Sequence, residues 1–442
     1  MGPQSSPEPN LPLAPEGVSP SPKASRHRRR LVVFSTLVLL AIALLSTGVG
    51  YVWHEHSNGV RRATSSSNKS STHPGTVTGW VHTDGTSLVD SAGNRIILAG
   101  VDDSSLDAGQ GNTPDRCHLM WSPASATEID TMHTMGFNMV RIGVSWANLE
   151  PTAPTVGADG LIIHHWNTQY LAALDNEIAA LQANHIMAIL DMHQAGWSPA
   201  FTGSQSLCEG HGLPSWLYTT DQNSSNAVSV AQCQFFSDIQ EADVSEKPQE
   251  GLAAVWSMLA SRYASNSTVI GADMFNEPNW PKSCSQPDLA SFYERIGTAI
   301  RDSNPNIMLM YEDNAYSSYN RNGFLLKRQP TLSNAVYSWH WYPTTWGAGE
   351  ESLKAHFARA QSWGVPFWIG EFDGLGGSYN THTKRPLDSN WQTDLSTLMH
   401  YFKQNGINWS IWEYDGGGYS VVEPSTTQPK QPLLSLLKQD MP

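Results

Sequence analysis

Cysteine is scarce, at four residues in 442, and no two of them stand in a C-x-x-C spacing. That spacing argues against a structural zinc site. Charge is scarce as well. Only 15% of residues are Asp, Glu, Lys or Arg, and cations are the minority, with 26 Lys and Arg against 40 Asp and Glu. The net charge of −14 is unevenly spread. The first 62 residues carry seven Lys or Arg and three Asp or Glu, which leaves the remainder at −18. So acidic a globular part argues against nucleic acid or anionic lipid as its main partner and fits a neutral ligand. No G-x-G-x-x-G follows the first strand-like run, so a doubly wound open sheet lacks its usual support. Uncharged runs long enough to span a bilayer are missing too, with one exception.

The exception is LVVFSTLVLLAIALLSTGVGYVW, residues 31–53, which carry no charge. A helix of that length rises about 35 Å and crosses a hydrocarbon core of about 30 Å. Lys23, Arg26, Arg28, Arg29 and Arg30 precede it, and only Arg61 and Arg62 follow closely. The positive-inside rule then leaves the N-terminus in the cytoplasm and the bulk of the chain outside. Residues 1–30 read as a disordered Pro/Ser-rich and basic tail, 31–53 as an uncleaved transmembrane signal anchor, and 54–78 as a flexible stalk. Cleavage of the segment would instead release a secreted protein. Four cysteines, Cys117, Cys208, Cys233 and Cys284, agree with an oxidising exterior. They allow three pairings. Joining Cys208 to Cys233 would close one loop region and leave Cys117 with Cys284.

From residue 79 to 442, short apolar runs alternate with amphipathic stretches. Eight runs read as strands: 94–102, 136–146, 185–193, 269–278, 306–313, 335–343, 366–374 and 407–417. Their apolar parts are nearly continuous, as expected for parallel strands buried on both faces. Helix signals separate most of them, and the pattern predicts an α/β fold, a (β/α)8 TIM barrel. A long connection, about residues 194–250, follows the third strand and should fold over one face.

Each run turns from apolar to polar at the same relative place. Catalytic groups of such barrels sit at the carboxyl ends of the strands. There stand Arg141 and Trp146, Asp191, His193 and Gln194, Asn276 and Glu277, His340 and Tyr342, Glu371 and Asp373, and Trp412, Glu413 and Tyr414. Glu277 and Glu371 each end an otherwise apolar strand, the fourth and the seventh. A glycosidase needs one protonated and one ionised carboxyl flanking a single bond. On other barrels His193 and His340 would be satisfied core histidines, and no third metal ligand is evident near them. Neither a metal nor a cofactor is expected.

In order along the chain, GFNMVRIGVSW, ILDMHQ, MFNEPNW, SWHWYP, WIGEFDG and WSIWEYDGG resemble glycoside hydrolase family 5, the cellulase-like retaining barrels. The resemblance covers about residues 79–437. It implies Glu277 as general acid/base and Glu371 as nucleophile. Arg141 would orient Glu371 and favour its carboxylate form. His193 and Asn276 would line the subsite of the cleaved sugar, with Asn276 on the 2-hydroxyl. Tyr342 of the His340-x-Tyr342 pair would contact the nucleophile, and Trp412 would lie under the sugar. Of Trp146, Trp197, Trp216, Trp280, Trp341 and Trp346, two or three should stack on sugar. DMHQ followed by GLPSW also looks like the endoglycoceramidase-type branch, whose substrates need an apolar groove. Met120, Trp121, Phe201, Phe235 and Phe236 are candidates for it, with loop packing the simpler expectation. Ala195 stands where that branch has Asp, so a β-glucan substrate is an equal expectation. The overall expectation is a retaining glycosidase acting on a β-linked oligosaccharide, polysaccharide or glycolipid, held to a membrane as a monomer, with no nucleic-acid partner. A non-catalytic carbohydrate-binding barrel is the alternative, and a metal-dependent barrel hydrolase the third.

Overall fold

The computed structural model describes residues 77–107, 121–194, 197–201, 212–218, 226–281, 284, 287–313, 324–342, 350–373, 390–415, 420–423 and 425–441. The predicted membrane segment 31–53 with its tail and most of its stalk lies outside the described residues, as do Cys117, Met120, Ala195, Cys208 and Trp346. Among the described residues no helix is long and apolar enough to cross a membrane.

Eight strands form the framework: β1 (Ala99–Asp103), β2 (Met139–Val144), β3 (Met187–Met192), β4 (Val269–Asp273), β5 (Met308–Glu312), β6 (Ala335–Trp341), β7 (Phe367–Phe372) and β8 (Asn408–Ile411). Each coincides with one of the eight apolar runs, β1 passing the end of its run by one residue. Each pairs in parallel with its neighbours in sequence, and β8 pairs with β1 to close the ring. Closure rules out the open doubly wound sheet. Every residue of the eight strands is buried, which is why their sequences do not alternate between apolar and polar.

Helices α1 (Ala126–Met135), α2 (Thr168–Ala183), α3 (Ala227–Phe236), α4 (Pro248–Arg262), α5 (Leu289–Ser303), α6 (Glu350–Trp363), α7 (Trp391–Asn405) and α8 (Leu433–Gln439) accompany the strands. Local sequence explains their ends. Ser125 and Glu128 form a reciprocal capping box at the start of α1, and Gly136 ends it with φ +94°. Asn167 and Asp288 cap α2 and α5 through their side chains.

The barrel interior is divided along its axis. Met139, Met187, Ile189, Ile270, Met308, Met310, Val336 and Trp368 pack inside it with Val81 and Leu88. The last two flank or belong to a small antiparallel sheet, His82–Asp84, Ser87–Val89 and Arg95–Ile96. This apolar floor leaves only the carboxyl end of the barrel for polar groups.

Two of the strands are irregular, and they are the two that lead to the glutamates. Ala188 and Ile189 of β3 pair with Val269 and Gly271, so β4 holds one extra residue. Trp339 and His340 of β6 pair with Ile369 and Glu371, so β7 holds one extra residue at Gly370. Strict alternation would put Glu371 on the outer face with Phe367 and Ile369. The bulge turns it inward, opposite His340. A Cβ on Gly370 would lie 2.9 Å from His340 Nε2 and 3.0 Å from Ser338 Oγ, so only glycine fits without displacement.

The disulfide differs from expectation. Cys233 in α3 bonds Cys284 ahead of α5, with Cα atoms 5.5 Å apart and a sequence separation of 51. The expected pairs, Cys208 with Cys233 and Cys117 with Cys284, are therefore wrong. The strands β3 and β4 are neighbours in the ring and bring their following loops side by side.

Candidate active site

Arg141 on β2 organises the carboxyl end of the barrel. It is 1% exposed, and a buried guanidinium needs both charge and hydrogen-bond partners. Its Nη1 donates to Glu371 Oε1 at 2.8 Å, its Nε to Asp273 Oδ2 at 3.0 Å and its Nη2 to Asn276 Oδ1 at 2.8 Å. Asp191 stands 3.1 Å from Nη2, and Asp102 3.6 Å from Nη1. Burial opposes its charge, but Asp191, Asp273, Glu371 and Asp102 together hold the guanidinium well above its usual range.

Glu371 accepts on both oxygens, from Arg141 and from the Tyr342 hydroxyl at 2.6 Å. A carboxyl that accepts on both oxygens is arranged as an anion. Glu277 is different. Its side chain is 16% exposed and, among the described residues, has no Lys or Arg bonded to it; its Oε1 lies 3.0 Å from His340 Nδ1. Burial and the charge of Glu371 push Glu277 up to about 8. Burial, with Arg141 and His193 nearby, holds His340 well below the usual imidazole range, so it is neutral. One oxygen of Glu277 and one of Glu371 lie within 4.8 Å of each other and of a His340 nitrogen. Carboxyls of retaining glycosidases stand about 5–5.5 Å apart, and those of inverting ones about 6.5–9.5 Å.

The cleft has a second wall. His193 Nδ1 bonds Asp191 Oδ2 at 2.6 Å. Burial resists its charge, yet Asp107 and Asp191 push His193 up to about 10. Its ring stacks on Trp412 with centroids 5.3 Å apart and planes 14° from parallel. Asp191 thus joins His193 to Arg141. All eight residues singled out from sequence, Arg141, His193, Asn276, Glu277, His340, Tyr342, Glu371 and Trp412, belong to one connected cluster.

The Asn276 carbonyl is occupied by Arg141, so a sugar hydroxyl would meet the Asn276 amide nitrogen, which also donates to the Gln194 carbonyl at 3.3 Å. Trp146 and Trp197 are 1% exposed and are packing residues. Trp197 lies among Phe235, Phe236 and Phe275, and its Nε1 donates to the Tyr218 hydroxyl. Phe201, Phe235 and Phe236 are buried, and Trp121 stands edge-on to Tyr170. Among the described residues these four make no open apolar groove. Asp373 and Glu413 are buried, and Ser104 Oγ donates to Glu413 at 2.5 Å.

Asp102, Asp273 and Glu312 went unnoticed in sequence. Burial raises all three carboxyls, Asp273 to about 7 despite Arg141. The signal was present, since Asp102 and Glu312 stand at the ends of apolar runs and Asp273 interrupts one. His340 also has more company than the sequence suggested. It sits with Asp273 and Glu312, and with Glu277 and Glu371, within metal-ligand spacing. A cation in either group would face Arg141, which lies 2.9 Å from Asp273 and 2.8 Å from Glu371. A proton satisfies these acids with less repulsion.

Comparison with known proteins agrees with this geometry. The chain is 25% identical over 403 residues to an endoglucanase of Paenibacillus polymyxa, covering 81% of this chain and 87% of that one. It is 27% identical over 263 residues to endoglycoceramidase I of Rhodococcus hoagii, covering 54% of this chain and 47% of that one. In shape it is similar to a solved structure of endo-glycoceramidase II from Rhodococcus sp., a lactosyl-enzyme intermediate, with a TM-score of 0.61, 23% identity and 79% of each chain covered. The family model for cellulase, glycosyl hydrolase family 5, matches residues 89–418. The chain belongs to glycosyl hydrolase family 5 and is a retaining glycoside hydrolase.

Proposed function

We propose that this protein hydrolyses an internal β-glycosidic bond of a β-linked glucan by double displacement, with Glu371 as nucleophile and Glu277 as acid/base. The observation that carries the reading is the contrast between two carboxyls within 4.8 Å of each other: Glu371 bonded by Arg141 and Tyr342, Glu277 pushed up to about 8. Protonated Glu277 donates to the leaving oxygen as Glu371 attacks the anomeric carbon. The vacated Glu277 then takes a proton from the water that releases the sugar. Arg141 and Tyr342 keep Glu371 oriented, and neutral His340 holds Glu277. The near full-length likeness to an endoglucanase supports a β-glucan. A glycosphingolipid is the second reading, supported by the partial likeness to an endoglycoceramidase.

Hydrolysis of a panel of β-glucan, mannan, xylan and glycosphingolipids, followed by NMR of the first anomer formed, tests the reading. The β-anomer is expected first, and Glu371→Gln should abolish turnover with the fold intact. An α-anomer, or substantial activity of folded Glu371→Gln, sinks it.

We also propose that residues 31–53 anchor the chain in a membrane with the catalytic domain outside. The uncharged run and the five basic residues before it support this. Full-length protein should fractionate with membranes and lose its catalytic domain to protease added to intact cells. Recovery in the soluble fraction without cleavage would refute it.

A further inference from the structure

Glu277 sits in a backbone conformation that side-chain-bearing residues disfavour, with φ +42°. Pro278 follows it and offers no N–H of its own, and a residue before proline is steered away from the right-handed helical region. Something must hold this turn, because the Glu277 carboxyl has to meet the bond that Glu371 attacks. The Glu277 N–H donates to Glu312 Oε2 at 2.8 Å. Glu312 ends β5, is fully buried, and its own backbone is clamped by the Tyr293 hydroxyl. That hydroxyl donates to the Glu312 carbonyl and accepts the Glu312 N–H, both at 3.0 Å. Among the described residues the other Glu312 oxygen, Oε1, has no hydrogen-bond partner, and it stands 3.5 Å from His340 Nδ1, the atom that bonds Glu277.

We propose that Glu312 is a positioning residue for the acid/base: by accepting the Glu277 N–H it holds Glu277 in its left-handed turn, with the carboxyl against His340 and across from Glu371. It acts through the backbone and does not touch the substrate. Burial, with the charges of Asp273 and Glu277, raises the Glu312 carboxyl well above the usual range. That disfavours a charge on Glu312, and accepting the Glu277 N–H needs none. The inference rests on Glu277 being the acid/base.

The test uses the full-length chain and two aryl glycosides of one sugar, phenyl and dinitrophenyl, as β-cellobiosides or β-lactosides according to the panel. The dinitrophenyl group leaves without protonation, and the phenyl group needs it. Glu312→Leu removes the acceptor and keeps the bulk; Glu312→Gln keeps a neutral acceptor. Glu312→Leu should lower kcat/KM for the phenyl glycoside about tenfold or more while leaving the dinitrophenyl glycoside within about threefold, and Glu312→Gln should spare both. Should Glu312→Leu not fold, Glu312→Asp, which withdraws the acceptor by one methylene, carries the same comparison. Equal loss on both substrates, or no loss on either, overturns the proposal. So does selective loss in Glu312→Gln, because the acceptor is then not what matters. Glu277→Ala, run alongside, separates the two readings. If it shows the leaving-group dependence and Glu312→Leu does not, only the positioning role falls. If it shows none, the acid/base assignment falls and the proposal with it.

Discussion

Arg141 carries one positive charge among four carboxylates, and that imbalance shapes the chemistry at the scale of single residues. One guanidinium cannot neutralise Asp102, Asp191, Asp273 and Glu371 at once in a buried site. Protons take up the remainder, and an acid that Arg141 does not bond is free to carry one at working pH. Glu277 has that position, with Glu371 close enough to repel its charge. A pH profile follows. The general acid must be protonated, so kcat/KM should fall as pH rises through about 8. Glu277→Ala assayed on a dinitrophenyl glycoside should lose that alkaline limb, because no proton donor is then required. An unchanged limb in that variant would assign it to another group.

At the scale of elements, the bulges in β4 and β7 do what residue type cannot. Glu371 is two residues beyond Ile369, and regular pairing would leave both on the outer face. The extra residue at Gly370 moves Glu371 into the barrel, and glycine is required there because His340 and Ser338 approach so closely. Gly370→Ala should therefore cost about 1–3 kcal/mol by overpacking and should lower kcat, because the clash displaces the His340 ring that holds Glu277. Denaturant unfolding and steady-state kinetics check it; a variant with wild-type stability and kcat would show that the strand relaxes freely. The Cys233–Cys284 bond belongs to this scale as well. It ties α3 to the connection between β4 and α5, where Phe236 also packs on Phe275, Trp280 and Phe292.

At the scale of the whole molecule, the acidic barrel mouth couples folding to pH. Asp103 is pushed up to about 6, Asp273 and Glu413 to about 7, and Glu277 to about 8, with burial the leading cause in each. Unfolded carboxyls titrate near 4. A carboxyl raised in the folded state contributes stability that is present below its unfolded pKa and lost as pH rises through its folded pKa. His193, pushed up to about 10, has the same sign over a higher window. Glu294, held at about 2 mainly by its hydrogen bonds to Arg328, has the opposite sign and acts only as pH falls below about 4. Stability should therefore be greatest at about pH 4 and decline towards pH 8. Calorimetric Tm values across that range check it, and a Tm that rises from pH 6 to pH 8 would contradict it.

The order of eight strands, the register of polar residues at their carboxyl ends, and the identity of Glu277, Glu371 and Arg141 were legible in the sequence by itself. Each is a local pattern: an apolar run, a polar terminus, a motif of a few residues. Which face each side chain takes was decided only by the tertiary structure. Strands buried on both sides show no alternation to read, and a bulge is an offset between neighbouring strands that neither strand contains alone. The same holds for the Cys233–Cys284 pair, set by the adjacency of β3 and β4 in a closed ring. It holds for Asp102, Asp273 and Glu312, whose importance comes from Arg141 and the Glu277 N–H arriving beside them from other strands.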